Sequence, residues 1–169
     1  VADTFEELII LGMLFSKSFG YALRGVLYIA LMQDERKWIQ VDEVAGSLGV
    51  PRYFMGKIMK RMAKEHLLVS SKGPYGGFTI HEETLNKPLY DVVAIIDGLS
   101  SFKSCALRMQ ECNSDNPCPL HTQIEEVKLR LKSILESTTI GDLLRTDKKE
   151  FIKSIATQSI DNLLLNQHT

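Results

Sequence analysis

The chain has 169 residues, 44% of them hydrophobic and 24% charged, with a formal net charge of −1 at pH 7. That length fits one domain, or a small domain with an appendage, and the apolar share is enough for a core. No apolar run is long enough to span a bilayer, and Leu8 to Phe15, short and without a basic segment before it, does not read as a signal peptide. With no export signal, the cytoplasm is the expected compartment. The near-zero net charge hides an asymmetry. Residues 51–72 carry six basic side chains (Arg52, Lys57, Lys60, Arg61, Lys64, Lys72) against Glu65 alone, a local excess of +5 in an otherwise acidic chain. Such an excess is the footprint of a polyanion site, and its plainer alternative is a solvated helix face.

Residues 1–12 have no clear reading, and Met13 opens a segment that reads like a natural start. Ser18 to Gln33 carries Tyr21, Ala22, Val26, Leu27, Ile29, Ala30 and Leu31, which predicts a helix buried on most of its surface. Val41–Leu48 predicts a short helix with Asp42 and Glu43 in the first turn, where the helix dipole favours negative charge, and Gly49 as its stop. Pro51 opens the next helix, Pro51–Glu65. It places Phe54, Met55, Ile58, Met59 and Met62 on one side, and Tyr53, Lys57, Lys60, Arg61 and Lys64 on the other. Helix, glycine turn and basic helix make a helix-turn-helix with the second helix as reader. Leu67–Ser71 and Phe78–Ile80 read as two strands around a turn dense in breakers, Lys72 to Gly77. A hairpin directly after a basic helix is expected to be a wing, with Lys72 and Tyr75 at its tip.

Pro88–Leu99 predicts another apolar helix, and a polar stretch containing all three cysteines follows. Cys105, Cys112 and Cys118 lie on a segment rich in Asn, Ser, Asp and Pro, with His121 three residues after the last. Thiols gathered on a loop are there for reactivity or for a metal, and an odd count argues against a disulfide framework. Three thiolates and an imidazole suit an iron–sulfur cluster or zinc. The next helix, from about Pro119 to Ser137, has Leu120, Ile124, Val127, Leu131 and Ile134 at steps of 4, 3, 4, 3. That narrow seam is expected to pair with a second copy in a two-fold dimer, or else to pack on the chain's own first helix. Residues 145–169 carry apolar side chains at helical spacing and no functional signal.

These pieces, in this order, resemble the IscR/NsrR-type bacterial regulators of the Rrf-two superfamily, dimeric winged-helix transcription factors of which many hold an iron–sulfur cluster. MLFSKSFGYALRGVLYIA is similar to the family's opening helix, VDEVAGSLGVPRYFMGKIMKRM to its helix-turn-helix, and LLVSSKGPYGGFTI to its wing. LYDVVAIIDG resembles the helix leading to the cluster loop, and ESTTIGDLL the end of the dimerisation helix. The resemblance covers about Met13 to Leu144. It implies a mainly α fold with a small β-hairpin wing. Residues 13–83 would be the winged helix-turn-helix domain, 84–144 the cluster loop and dimerisation helix, and 145–169 an extension.

The resemblance further implies a 2Fe–2S cluster with ligands Cys105, Cys112, Cys118 and His121. The first spacer is one residue longer than in close relatives, which shifts the loop geometry. Segment 16–21 has no acid to serve as the fourth ligand that the nitric-oxide sensor uses, so His121 takes that place. Gly56 stands where the cluster-assembly regulator has a base-discriminating glutamate. The implied function is a non-enzymatic regulator, a homodimer on double-stranded DNA with a palindromic operator. Arg52, Tyr53 and Lys57 would read bases, and Lys60, Arg61, Lys72 and Tyr75 would contact the backbone or minor groove. The rival readings are a zinc-stapled or thiol-redox winged-helix module and a cluster-carrying electron-transfer protein.

Overall fold

The fold is taken from a computed structural model, which describes residues 15–105, 107 and 113–144. Helix α1 spans Lys17–Met32. Its N-cap is Ser16, whose Oγ accepts from the Phe19 N–H at 3.2 Å. The Asp97 carboxylate takes both the Ser16 hydroxyl and its backbone N–H, so an acid from a distant element closes this positive helix end. Phe19, Ala22 and nearly the whole run from Gly25 to Met32 are buried. Gly25 faces Met55 and Val44 in the core: a Cβ there would lie 3.5 Å from the Met55 sulfur and 3.9 Å from Val44, ordinary contacts.

Helix α2 is Val41–Leu48. It ends at Gly49, whose φ of 62° sets the left-handed cap, with the Val50 N–H closing back on the Ala45 carbonyl at 2.9 Å. Helix α3 is Arg52–Lys64, with Pro51 at the N-cap, one position earlier than the sequence suggests. Pro51 lacks an N–H, which costs nothing at this position. Its carbonyl accepts from the Phe54 and Met55 amides, at 3.0 Å each. Met55, Ile58, Met59 and Met62 bury the inner face of α3 against α1 and α2.

Strands β1 (Val69–Ser71) and β2 (Gly77–Thr79) pair antiparallel, with Ser70 opposite Phe78. Ile39 bridges the other edge of β2: it and Phe78 exchange both backbone hydrogen bonds, at 2.9 and 2.8 Å. The hairpin is thereby stitched to the segment between α1 and α2. Gly76 is required by the turn of the hairpin and Gly77 by that stitching. A Cβ at Gly76 would collide with the Ser71 carbonyl oxygen, and one at Gly77 would sit 2.5 Å from that of Ile39.

Helix α4 is the single turn Glu82–Leu85, and α5 is Leu89–Ile96. The latter is shorter than expected, because Gly98 at φ 73° turns the chain into the one-turn helix α6, Ser100–Lys103. Helix α7 is His121–Ser137, followed by a 3-10 turn over Gly141–Leu144. Two backbone hydrogen bonds tie the end of α7 to the start of α5, Leu89 N–H to Thr138 O at 2.9 Å and Ile140 N–H to Lys87 O at 3.0 Å. One continuous cluster of buried side chains joins α1, α2, α3, the hairpin and α5 to Leu135 and Ile140. Residues 145–169 lie outside the described residues.

The seam of α7 divides. Ile124 and Leu131 are half-buried on the side of α7 that packs against α5, whereas Leu120, Val127 and Ile134, seven residues apart, are exposed together with Leu129. The element that α7 mainly packs on is therefore α5. The buried positions of α7 include a charged side chain, Lys128.

Candidate nucleic-acid interface and cysteine pocket

The outer face of α3 presents Arg52, Tyr53, Lys57 and Lys60 to solvent, and the wing presents Lys72 and Tyr75 beside it. Tyr53 is 72% and Tyr75 90% exposed, large values for aromatic side chains that nothing in the chain's own packing demands. The Lys57 ammonium lies 4.5 Å from the centre of the Tyr53 ring. Arg52 makes an ion pair with Asp42 of α2. Both partners are more than half exposed, so the pair is weak and the guanidinium is available to exchange one anion for another. Gln40 donates to the Pro74 carbonyl at 3.1 Å and holds the wing tip to the α2 N-terminus.

Three features of this face differ from the sequence reading. Arg61 is exposed, and its Nη1 donates to the Ile96 carbonyl at 2.9 Å, which ties one end of the guanidinium to the end of α5. Gly56 points partly at α2: a Cβ there would meet Val41 at 3.7 Å, an ordinary contact. Phe54, assigned to the buried side, is partly exposed and meets Tyr21 edge-on at 5.9 Å. Tyr21 carries Arg24 at 5.2 Å over its ring, so α1 adds an aromatic and a cation next to the reader helix. Their spacing of three residues on α1 was the available signal, obscured by the apolar run around them.

The second site is the cysteine pocket between α6 and the start of α7. Helix α6 delivers Cys105, and the start of α7 delivers Cys118 and His121. An aromatic set anchors this region: Phe15 stacks on Phe19 at 4.6 Å and meets Phe102 of α6 at 6.5 Å, and Phe102 meets Tyr90 of α5 at 5.9 Å. Asn113 Oδ1 accepts from the Asp115 and Asn116 amides, both at 2.9 Å, forming the polar turn expected of this stretch. The Cys105 and Cys118 sulfurs are 3.8 Å apart, far beyond a disulfide bond of about 2.05 Å. The His121 N–H donates to the Cys118 carbonyl at 2.9 Å, which fixes histidine and cysteine on one turn. Lys103, Ser104, Cys105, Cys118, Leu120, His121, Ile124 and Lys128 line a small cavity open to solvent.

Cys112 lies outside the described residues. Among the described residues, no three His, Cys, Asp or Glu side chains converge as a metal-holding group. Two thiols and an imidazole on one cavity are nevertheless a soft-donor set of the kind that iron–sulfur clusters and zinc take. Elsewhere, the Tyr28 hydroxyl between α1 and α2 donates to Glu43 and accepts from Ser47, both at 3.1 Å. Burial pushes its pKa up to about 12, with the Glu43 carboxylate adding to the rise. Among the described residues, no helix is long and apolar enough to cross a membrane.

Comparison with known proteins agrees with this geometry. Residues 15–146 match the family model described as Rrf2, iron-dependent transcriptional regulator. A protein of Aquifex aeolicus (strain VF5) that carries a helix-turn-helix regulator name is 32% identical over 139 residues, 81% of this chain and 95% of that one. The regulator IscR of Vibrio atlanticus (strain LGP32) is 23% identical over 128 residues, 76% of this chain and 73% of that one. Among solved structures, CymR, the global cysteine regulator of B. subtilis, superposes with a TM-score of 0.63 at 19% identity, covering 79% of this chain and 98% of that one. IscR of T. potens superposes with a TM-score of 0.61 at 18% identity, covering 88% and 95%. These relatives are transcriptional regulators rather than enzymes, and this chain is a winged-helix transcriptional regulator of the Rrf2 family.

Proposed function

We propose that the protein is a cytoplasmic, homodimeric DNA-binding regulator whose operator affinity is set by a 2Fe–2S cluster held by Cys105, Cys112, Cys118 and His121. The observation that carries the cluster reading is the approach of Cys105 and Cys118 to 3.8 Å at the mouth of a cavity that His121 also lines. Residues 13 apart meet there because α6 and the start of α7 are held by separate contacts, α6 by Phe102 and α7 by its packing on α5. When bound, the cluster supplies a redox-active and oxidation-labile centre.

On this reading α3 enters a major groove, with Arg52, Tyr53 and Lys57 at base edges, and Lys60, Lys72 and Tyr75 on phosphates or an adjacent minor groove. The exposed row Leu120, Val127 and Ile134 supports pairing of α7 with its copy, and a two-fold dimer calls for a palindromic operator. A physical route joins the two sites. The cysteine segment follows α5 and α6, and the carbonyl that ends α5 holds Arg61 of the reader helix. Reordering the cysteine segment therefore shifts the population of reader-helix positions.

The 3.8 Å approach of the sulfurs also suits a thiol-redox regulator, and the soft donors suit zinc. An electron carrier would have no use for the exposed basic and aromatic face. Purification without air, with iron, sulfide and zinc assays, separates these readings. Iron and sulfide in equal amounts support the cluster, zinc alone supports the staple, and neither supports the thiol sensor. Titration against the gene's own upstream duplex, with and without the cluster, tests the regulation. Equal affinity in both states would remove the cluster from control of binding.

A further inference from the structure

Lys128 sits in the middle of α7, and its side chain is buried at 7% exposure. It points into the same cavity as Cys105, Cys118 and His121. Its Nζ donates to the Ser104 carbonyl at 2.5 Å, the backbone group immediately before Cys105. That is its one polar contact among the described residues, and none of their carboxylates pairs with it. A buried ammonium with a single carbonyl acceptor is unfavourable unless an anion shares its site. One turn on, Lys132 stays partly exposed and pairs with Glu136, so a cation on this helix is not forced inward by its neighbours.

We infer that Lys128 is the counter-charge of the cysteine pocket, offsetting the negative charge that the pocket acquires when its thiols ligate a metal centre. This rests on the metal-binding reading of the pocket proposed above. The sign follows from the charges. Three thiolates around a divalent cation leave a net charge of minus one, and three thiolates around an oxidised 2Fe–2S core leave the same. One electron, delivered by dithionite, takes the cluster site to minus two without making or breaking a bond. A fixed positive charge beside it favours the loaded site over the empty one, and the reduced site over the oxidised one. Through Ser104 the same side chain positions the backbone that carries Cys105. Lys128 is thus a positioning residue that acts through charge, and the two roles are separable by substitution.

The experiment uses the full chain and its Lys128→Gln and Lys128→Arg variants, with thermal unfolding of the metal-free forms as a control for folding. Each is titrated anaerobically with cobalt(II) chloride at one fixed pH, and binding is read from the thiolate-to-cobalt absorption band. Each is also reconstituted with iron and sulfide, and its midpoint potential is measured. Lys128→Gln keeps a donor for the Ser104 carbonyl and loses the charge. It should weaken cobalt binding about tenfold and bias the cluster about tenfold toward its oxidised form, about 59 mV for one electron. Lys128→Arg should stay within about twofold of the unaltered protein on both readouts. The proposal is overturned if Lys128→Gln matches the unaltered protein, or if Lys128→Arg falls as far as Lys128→Gln, which makes the effect one of packing. If the unaltered chain takes cobalt but forms no cluster, the cluster reading fails and the cobalt series alone decides the role of Lys128. If it takes neither, both fail.

Discussion

The reader half of the molecule and the α7 half solve the same problem, burial of an amphipathic helix, in opposite ways. Helix α3 places all four of its buried residues against α1 and α2 within one chain, and what it leaves outside is basic or aromatic. Helix α7 buries only Leu135 and Lys128 fully, and leaves Leu120, Val127, Leu129 and Ile134 outside. An exposed face of cations and aromatics is built for a polyanion, whereas an exposed row of aliphatics at heptad spacing is built for another helix. The described residues thus present two chemically different surfaces, one cationic and aromatic on α3 and one aliphatic on α7.

The sharpest way to break that contrast is to compare a buried with an exposed set of aliphatic positions on α7. Leu135→Ala removes a core side chain and should cost about 2–5 kcal/mol of monomer stability, read from denaturant unfolding. Val127→Asp with Ile134→Asp should leave the monomer folded by circular dichroism and abolish the dimer in light scattering. If the double variant still scatters as a dimer, the exposed row is not the interface.

A second test probes the self-sufficiency of the reader half. Tyr28 ties α1 to α2 with a neutral hydroxyl, and its pKa rises from 10 to about 12 in the folded chain. A raised value means that the stabilisation is fully present below pH 10 and is lost as pH climbs toward 12. The rise corresponds to on the order of 2–3 kcal/mol. Unfolding at pH 8, 10 and 11.5 should show this loss in the unaltered protein. Tyr28→Phe should show a flatter profile, and parallel profiles would contradict the assignment.

The DNA face itself should resolve into two kinds of contact. Arg52→Ala should cost about 1–3 kcal/mol on the operator and relax preference at one or two base pairs, even though it frees Asp42. Lys72→Ala should weaken operator and scrambled duplexes alike and lower the salt slope by about one. Binding titrations at two salt concentrations read both, and equal losses on both duplexes for Arg52→Ala would remove it from base reading. The smallest effect is expected where α3 ends. His66 holds φ at 59° without being glycine, so His66→Gly should change unfolding stability by at most about 1 kcal/mol, in the stabilising direction. A loss of stability there would mean that the imidazole has a role at the foot of the reader helix.

Much of this was legible one residue at a time. The stop at Gly49, the start beside Pro51, the methionine face of α3 and the breaker-rich wing are local events governed by backbone preference and by helical or strand period. The cysteines and the histidine were legible as candidate donors from residue type, and the structure brings Cys105, Cys118 and His121 to one pocket. Distance in sequence hid the rest. No local pattern says that Ile39 supplies a third edge to the hairpin, that Asp97 closes the first turn of α1, or that Arg61 is tied to the Ile96 carbonyl. Periodicity placed five apolar residues on one seam of α7, but which of them face inward depended on where α5 lies. The same packing drew Lys128 into the cysteine pocket. The sequence by itself determined the main helices, the hairpin and the basic character of the outer face of α3, because these follow from local conformational preference and side-chain chemistry. Only the tertiary structure decided which charges are spent within the chain and which face solvent, because that depends on contacts between residues far apart in sequence.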